Sequence, residues 1–140
     1  MPFHRFLHIP AIYPYIHKHH HRQCQPFRGT FDGINTHPVE FIFGEFLHLF
    51  AIYLVGRLLP TVHFCGGIMF LLLGGIMASL NHTRFAVRIP GVFDVRDHDF
   101  HHRFPRSNYG QFVMWFDVII GSYVNPATRG RGAASRKRAM

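Results

Sequence analysis

Nine of the thirteen histidines in this chain stand at spacings that suit metal binding. They are His4 and His8 in HRFLH, then His17, His20 and His21 in HKHHH. His82 follows in NHT, and His98, His101 and His102 in HDFHH. On an α-helix, residues three and four apart lie on one face, about 5–6 Å apart at Cβ. Each cluster is therefore expected to aim its imidazoles at one point. A tetrahedral zinc takes about four ligands, so nine candidates suit two metals. Imidazole serves iron, zinc, copper and nickel alike, and the neighbouring donors narrow the choice. Structural zinc usually recruits thiolate, yet neither Cys24 nor Cys65 belongs to a cluster. Hydrolytic zinc pairs usually carry bridging carboxylates. The acids near the last cluster are Asp94, Asp97 and Asp99, and Asp99 cannot share the face of His98, His101 and His102. Asp99 is better placed to support an imidazole N–H. An all-histidine metal pair points to iron and O₂ chemistry on an apolar chain. A membrane hydrolase with two zincs is the competing enzyme class. Taken alone, HKHHH would read as a solvated basic patch. Three spaced clusters around an apolar hairpin are harder to reach that way.

The elements that must position these histidines are two apolar stretches, Phe41 to Leu59 and Val62 to Leu80. Each can cross a hydrocarbon core of roughly 30 Å as a helix of about 20 residues. Pro60 and Thr61 form a tight connection, so the pair leaves and returns on the same side of a bilayer. That topology gathers His4 to His37 and His82 to His102 on one membrane face. The expected fold is all-α: a membrane helical hairpin with a histidine-rich cytosolic cap of short helices. The cytosolic side follows from the arginines, most of which lie outside the hairpin on the histidine side. The net charge is +8, and this placement assigns it to an anionic membrane surface. No aromatic-basic strand pattern or zinc-finger spacing supports nucleic acid. Sixteen phenylalanines against one tryptophan fit contact with lipid. Two cysteines make no disulfide framework, and the opening MPFHRFLH is not a cleavable signal.

Within the cap, Pro10 and Pro14 are expected to divide residues 2–22 into two short helices. Pro38 is placed to open the first span. Residues 84–97 are interrupted by Pro90 and Gly91, residues 98–103 are helical, and Gln111 to Tyr123 forms another helix. His19 points away from its neighbours. His37, in HPVE, is open between a helix cap, a support for a ligand and a ligand. His48 and His63 read as polar residues within or at the end of a span. Glu45 and Arg57 sit at membrane depth, where charge is costly and often functional. The packed region is residues 1–123, and 124–140 read as a disordered basic tail.

HRFLH, HKHHH, HPVE, NHT and HDFHHRFPRSNYGQF followed by WFDVIIGSY resemble the fatty acid hydroxylase/sterol desaturase superfamily. The likeness runs to about Tyr123. It implies a membrane-embedded, non-haem di-iron oxygenase of the endoplasmic reticulum, multi-pass, acting in lipid biosynthesis. The substrate implied is a sterol, fatty acyl or sphingoid chain, hydroxylated or desaturated with O₂. Cytochrome b5 or a reductase would donate the electrons. The ligands carried over are His4, His8, His17, His20, His21, His82, His98, His101 and His102, holding two iron ions. Ala78 stands where some members carry a further histidine. The family usually has a membrane region before the first histidine motif, so an incomplete or reduced member is expected. A truncated, non-catalytic metal-binding membrane protein is the alternative.

Overall fold

The computed structural model describes residues 2–22, 29–59 and 61–128. A short helix, α1 (Pro2–Leu7), is followed by turns and a 3-10 helix at His17–Arg22. A second 3-10 turn spans Gly29–Asp32. The long helices are α2 (Pro38–Leu58) and α3 (Phe64–Asn81). Then come a two-residue antiparallel ladder, β1 (Arg88–Ile89) with β2 (Phe93–Asp94), and the helices α4 (Val95–Arg103) and α5 (Trp115–Ile119).

Both long helices begin where local chemistry tells them to. His37 caps α2: its Nδ1 accepts from Val39 N at 3.2 Å, and Pro38 opens the first turn. His37 thus acts as a cap and lies in neither histidine group. His63 caps α3 the same way, accepting from Cys65 N at 3.2 Å. The helices have 21 and 18 residues, or about 31 and 27 Å at 1.5 Å per residue. Both are long and apolar enough to cross a membrane, and almost none of their residues are buried. A helix apolar on every side and exposed on most of it suits lipid. They approach closely at Gly67, where an added Cβ would sit 3.3 Å from Ile52. The expected Pro60–Thr61 turn falls partly on Pro60, outside the described residues, as do Cys24 and residues 129–140.

Three local expectations change. The HKHHH segment is a 3-10 helix, His17–Arg22, preceded by turns. The Pro90–Gly91 interruption is a hairpin turn, with Val92 N bonded to Ile89 O and Gly91 at φ 74°. Proline followed by a residue of positive φ is the type II pattern, which favours glycine at the second place. The helix expected from Gln111 to Tyr123 shrinks to α5, because the backbone before it is committed to other partners and Gly121 turns it off at φ 72°. Val124 is tied to Asn108 by bonds at both N and O, so the ordered cap reaches past residue 123.

The cap has an inverted core. Among the described residues, five apolar side chains are buried (Leu7, Phe93, Val95, Phe100 and Tyr109) against fourteen polar or charged ones. Seven of those fourteen are histidines: His17, His20, His21, His82, His98, His101 and His102. Hydrophobic burial alone does not explain such a core.

Candidate metal centre

All nine histidines meet at the end of the hairpin where α2 begins and α3 stops, and they form two groups. One is His4, His8, His17, His21 and His101; the other is His20, His82, His98 and His102. Within each group the candidate ligand atoms lie within 4.8 Å of one another. The groups share a wall, with the His21 and His102 rings stacked at 4.6 Å and His98 5.9 Å from His101. Each triplet therefore splits instead of aiming at one point. Helix geometry explains this for α4. At about 100° per residue, His98 and His102 stay nearly aligned while His101 is rotated away from His102 by about 100°. His98 and His102 serve one group, and His101 the other. His17 and His21 also part from His20, although a regular 3-10 turn would align His17 with His20.

The first group carries a test of whether a cation belongs there. His17 Nδ1 is 2.8 Å from Glu40 Oε1. His4 Nδ1 is 2.8 Å from Tyr109 O, and His101 Nδ1 2.7 Å from Ser107 O. Carbonyls only accept, so His4 and His101 must donate from Nδ1–H, and His17 does the same when Glu40 is ionised. In the neutral ring that leaves Nε2 bare. Yet His4 Nε2 faces His17 Nε2 at 2.9 Å, and His101 Nε2 is buried with no partner among the described residues. Two lone pairs opposed at that distance repel unless a positive ion lies between them. A proton is a poor candidate, since burial lowers the His4 pKa to about 4. A metal satisfies His4, His17 and His101 together. The donor set fits.

The second group is similar in kind. His98 Nε2 lies 3.2 Å from His82 Nε2 and 3.0 Å from His102 Nε2. His20 closes the ring, 5.0 Å from His82 and 4.8 Å from His102 between centroids. Burial lowers His82 to about 4, opposed by the charge of buried Asp32. In the first group burial takes His8 to about 3 and His21 to about 2, helped by neighbouring imidazoles. Burial likewise holds His17, His20, His98 and His101 far below the usual histidine range. Neutral imidazole is the form that binds metal.

The remaining expectations divide. His19 lies in neither group and pairs with Asn35 Oδ1 at 2.9 Å on the surface. Asp99 is half-buried, which raises its pKa, and it belongs to neither histidine group. The carboxylate that does support a histidine is Glu40. Its signal lay in HPVE, where it stands one turn into a helix that starts at the cluster. Sequence reasoning also missed Asp32, Asn108 and Asp117.

A cavity of about 440 Å³ leads away from the histidines. His4, His17, His20, His82 and His98 line one end; Phe41, Gly44, His48, Phe70 and Gly74 line the other, between α2 and α3. Its size falls in the range of small-molecule sites, about 300–1,000 Å³.

Known proteins resemble the chain over most of its length. The family model described as fatty acid hydroxylase matches residues 2–122. A fatty acid hydroxylase of Mycosarcoma maydis is 30% identical over 98% of this chain and 37% of its own length. Delta(7)-sterol 5(6)-desaturase of Saccharomyces cerevisiae is 30% identical over 88% of this chain and 32% of its own. An alternative squalene epoxidase of Phaeodactylum tricornutum is 29% identical over 84% of this chain and 34% of its own. The chain thus spans about a third of the length of these relatives. No solved structure matches it.

Proposed function

The chain belongs to the fatty acid hydroxylase family, and we propose that it is the metal-binding part of a membrane-bound, di-iron lipid hydroxylase or desaturase. The observation that carries this reading is the pair of all-histidine groups at the head of a cavity between two membrane-length helices. His4, His8, His17, His21 and His101 would hold one iron, and His20, His82, His98 and His102 the other. Iron there supplies activation of O₂ and one-electron redox chemistry. Hydroxylation converts a C–H bond and O₂, with two electrons and two protons, to an alcohol and water. Desaturation takes the same inputs, removes two adjacent hydrogens and releases two waters.

The residues of this chain position the parts. Glu40 and the carbonyls of Ser107 and Tyr109 set the tautomers of His17, His101 and His4. The apolar wall contributed by α2 and α3 would admit the lipid from the bilayer and keep water from the reacting carbon. Exposed Arg5, Arg96, Arg103 and Arg106 would face the cytosol at the endoplasmic reticulum membrane. Such a basic surface complements an acidic electron donor of the cytochrome b5 or reductase kind.

The test is product analysis of lipids in a host lacking its own hydroxylases, together with iron analysis of the purified protein. Oxidised sterol or acyl product that needs O₂, reductant and iron, and is lost in His102→Ala, is the expected result. Product formation under nitrogen, or in His102→Ala, overturns it. Iron bound with no turnover favours a non-catalytic metal-binding protein, and zinc with O₂-independent activity a hydrolase.

A further inference from the structure

The segment between α4 and α5 makes an unusual set of bonds. Three of its carbonyls, at alternate residues, reach the cap's polar core. Ser107 O accepts from His101 Nδ1, Tyr109 O from His4 Nδ1, and Gln111 O from Asn81 Nδ2, the residue before His82. Asn81 is 2% exposed. The short segment 107–111 thus touches ligand candidates of the first group from two different elements and braces the chain beside one in the second.

Something must hold that segment in place, and Asp117 does. It is fully buried on α5. Its Oδ1 accepts from Tyr109 N at 2.9 Å and from Ser122 Oγ at 2.6 Å, and its Oδ2 from Gly110 N at 2.7 Å. Asn108 completes the clamp from the other side. It is also fully buried, with φ 53°, a conformation asparagine tolerates better than most residues. Its amide donates to Asp97 O at 3.4 Å and Val124 O at 2.9 Å and accepts from Val124 N at 2.7 Å. Neither side chain bonds to a histidine among the described residues. Both act through the backbone between them.

We infer that Asp117 is a positioning residue for the first metal group, fixing the Ser107–Gln111 carbonyls that lock His4 and His101 as Nδ1–H tautomers. The inference rests on the metal reading above but makes a statement that can be tested without metal. A free imidazole exchanges its proton between nitrogens. Held against a fixed carbonyl, it cannot do so without losing a buried hydrogen bond, and its Nε2 then stays available. Asp117→Asn keeps the shape but replaces one acceptor oxygen with an N–H₂ group, which must face the N–H of Gly110 or of Tyr109. Donor then meets donor, and the segment must shift.

The experiment is nitrogen-15 NMR of histidine-labelled, metal-free full chain in nanodiscs, with His4 and His101 assigned by His4→Gln and His101→Gln. Wild type is expected to show both as Nδ1–H, and Asp117→Asn to show mixed tautomers at both. Iron affinity of the first group should fall at least tenfold in Asp117→Asn. The second group, isolated by His17→Ala, should change less than threefold. Ser122→Ala, which leaves both backbone bonds to Asp117, should behave as wild type. Unaltered His4 and His101 tautomers in Asp117→Asn overturn the inference. So does loss of helical circular dichroism together with both metal sites, which would make Asp117 a general folding residue. Wild-type chain with fixed tautomers but no iron binding would instead refute the proposed function and leave Asp117 in its positioning role.

Discussion

Glu40 provides the sharpest test of how the membrane helix reaches into the metal centre. Its Oε1 accepts from His17 Nδ1–H at 2.8 Å, with the two side chains 12% and 1% exposed. When His17 Nε2 binds a metal, its remaining proton must stay on Nδ1. Without metal the ring can move that proton to Nε2. Any loss at Glu40 therefore falls mainly on the metal-bound state. Glu40→Gln retains an acceptor but loses charge assistance. The difference between a charged and a neutral hydrogen bond, about 1–1.5 kcal/mol, predicts about 5–10-fold weaker binding, since about 1.4 kcal/mol is tenfold. Glu40→Ala leaves a buried N–H unpaired at about 1–3 kcal/mol. Losses at such supporting partners are typically about 10–100-fold in metal affinity. The assay is anaerobic Fe(II) competition against a chelator in the His98→Ala background, which disables the second group. A less than twofold change in Glu40→Ala would show that the contact does not tune the site.

Acid should release the metals and loosen the metal-free cap. The folded pKa values of His4, His8 and His82 are lowered to about 4, 3 and 4 from 6.5. The stability tied to the neutral rings is therefore complete above pH 6.5 and is lost as pH falls towards 4, a direction that thermal melts between pH 7.5 and 4.5 should reproduce. Gly74 lines the cavity and has nothing within 4 Å of an added Cβ. Gly74→Leu should therefore raise helix stability by up to about 1 kcal/mol, keep iron binding and cut lipid turnover at least tenfold in product assays. In a chain without native cysteines, Lys18→Cys and Asn125→Cys should label from one face of the membrane and Thr61→Cys from the other. Labelling of the first two from opposite faces would rule out the hairpin.

The hairpin and the histidines that the fold gathers were legible because each rests on short-range pattern. Continuous apolar runs of membrane length admit few other structures, and the caps at His37 and His63 moved their starts by only a few residues. The partition of the histidines was not legible. It depends on the rotation of α4 and on how each side chain of the His17–Arg22 turn is directed, whereas spacing alone places residues three and four apart on a common face. The supporting residues were hidden for a related reason. Asp117 and Asn108 act through backbone groups far away in sequence, so nothing local marks them. Asp99 looked suitable because it adjoins His98, yet the supporting carboxylate, Glu40, is 23 residues from the ring it holds.

The inverted core ties these points to stability. A cap whose interior is built from neutral imidazoles gains little from burying them, and each bare nitrogen adds a desolvation cost without a bond in return. With both rings held as Nδ1–H tautomers, the lone pairs of His4 and His17 are opposed at 2.9 Å and disfavour the metal-free arrangement. A metal that fills each group turns those repulsions into bonds, and ligand binding to the folded state alone stabilises it by mass action. Because the same imidazoles come from α1, from the segment after it, from the end of α3 and from α4, one bound ion links elements that few apolar contacts hold. On the proposed reading, folding of the cap and loading of the metal would be a single coupled equilibrium. The membrane hairpin, which needs no metal to bury its apolar surface in lipid, supplies the platform on which that equilibrium is set.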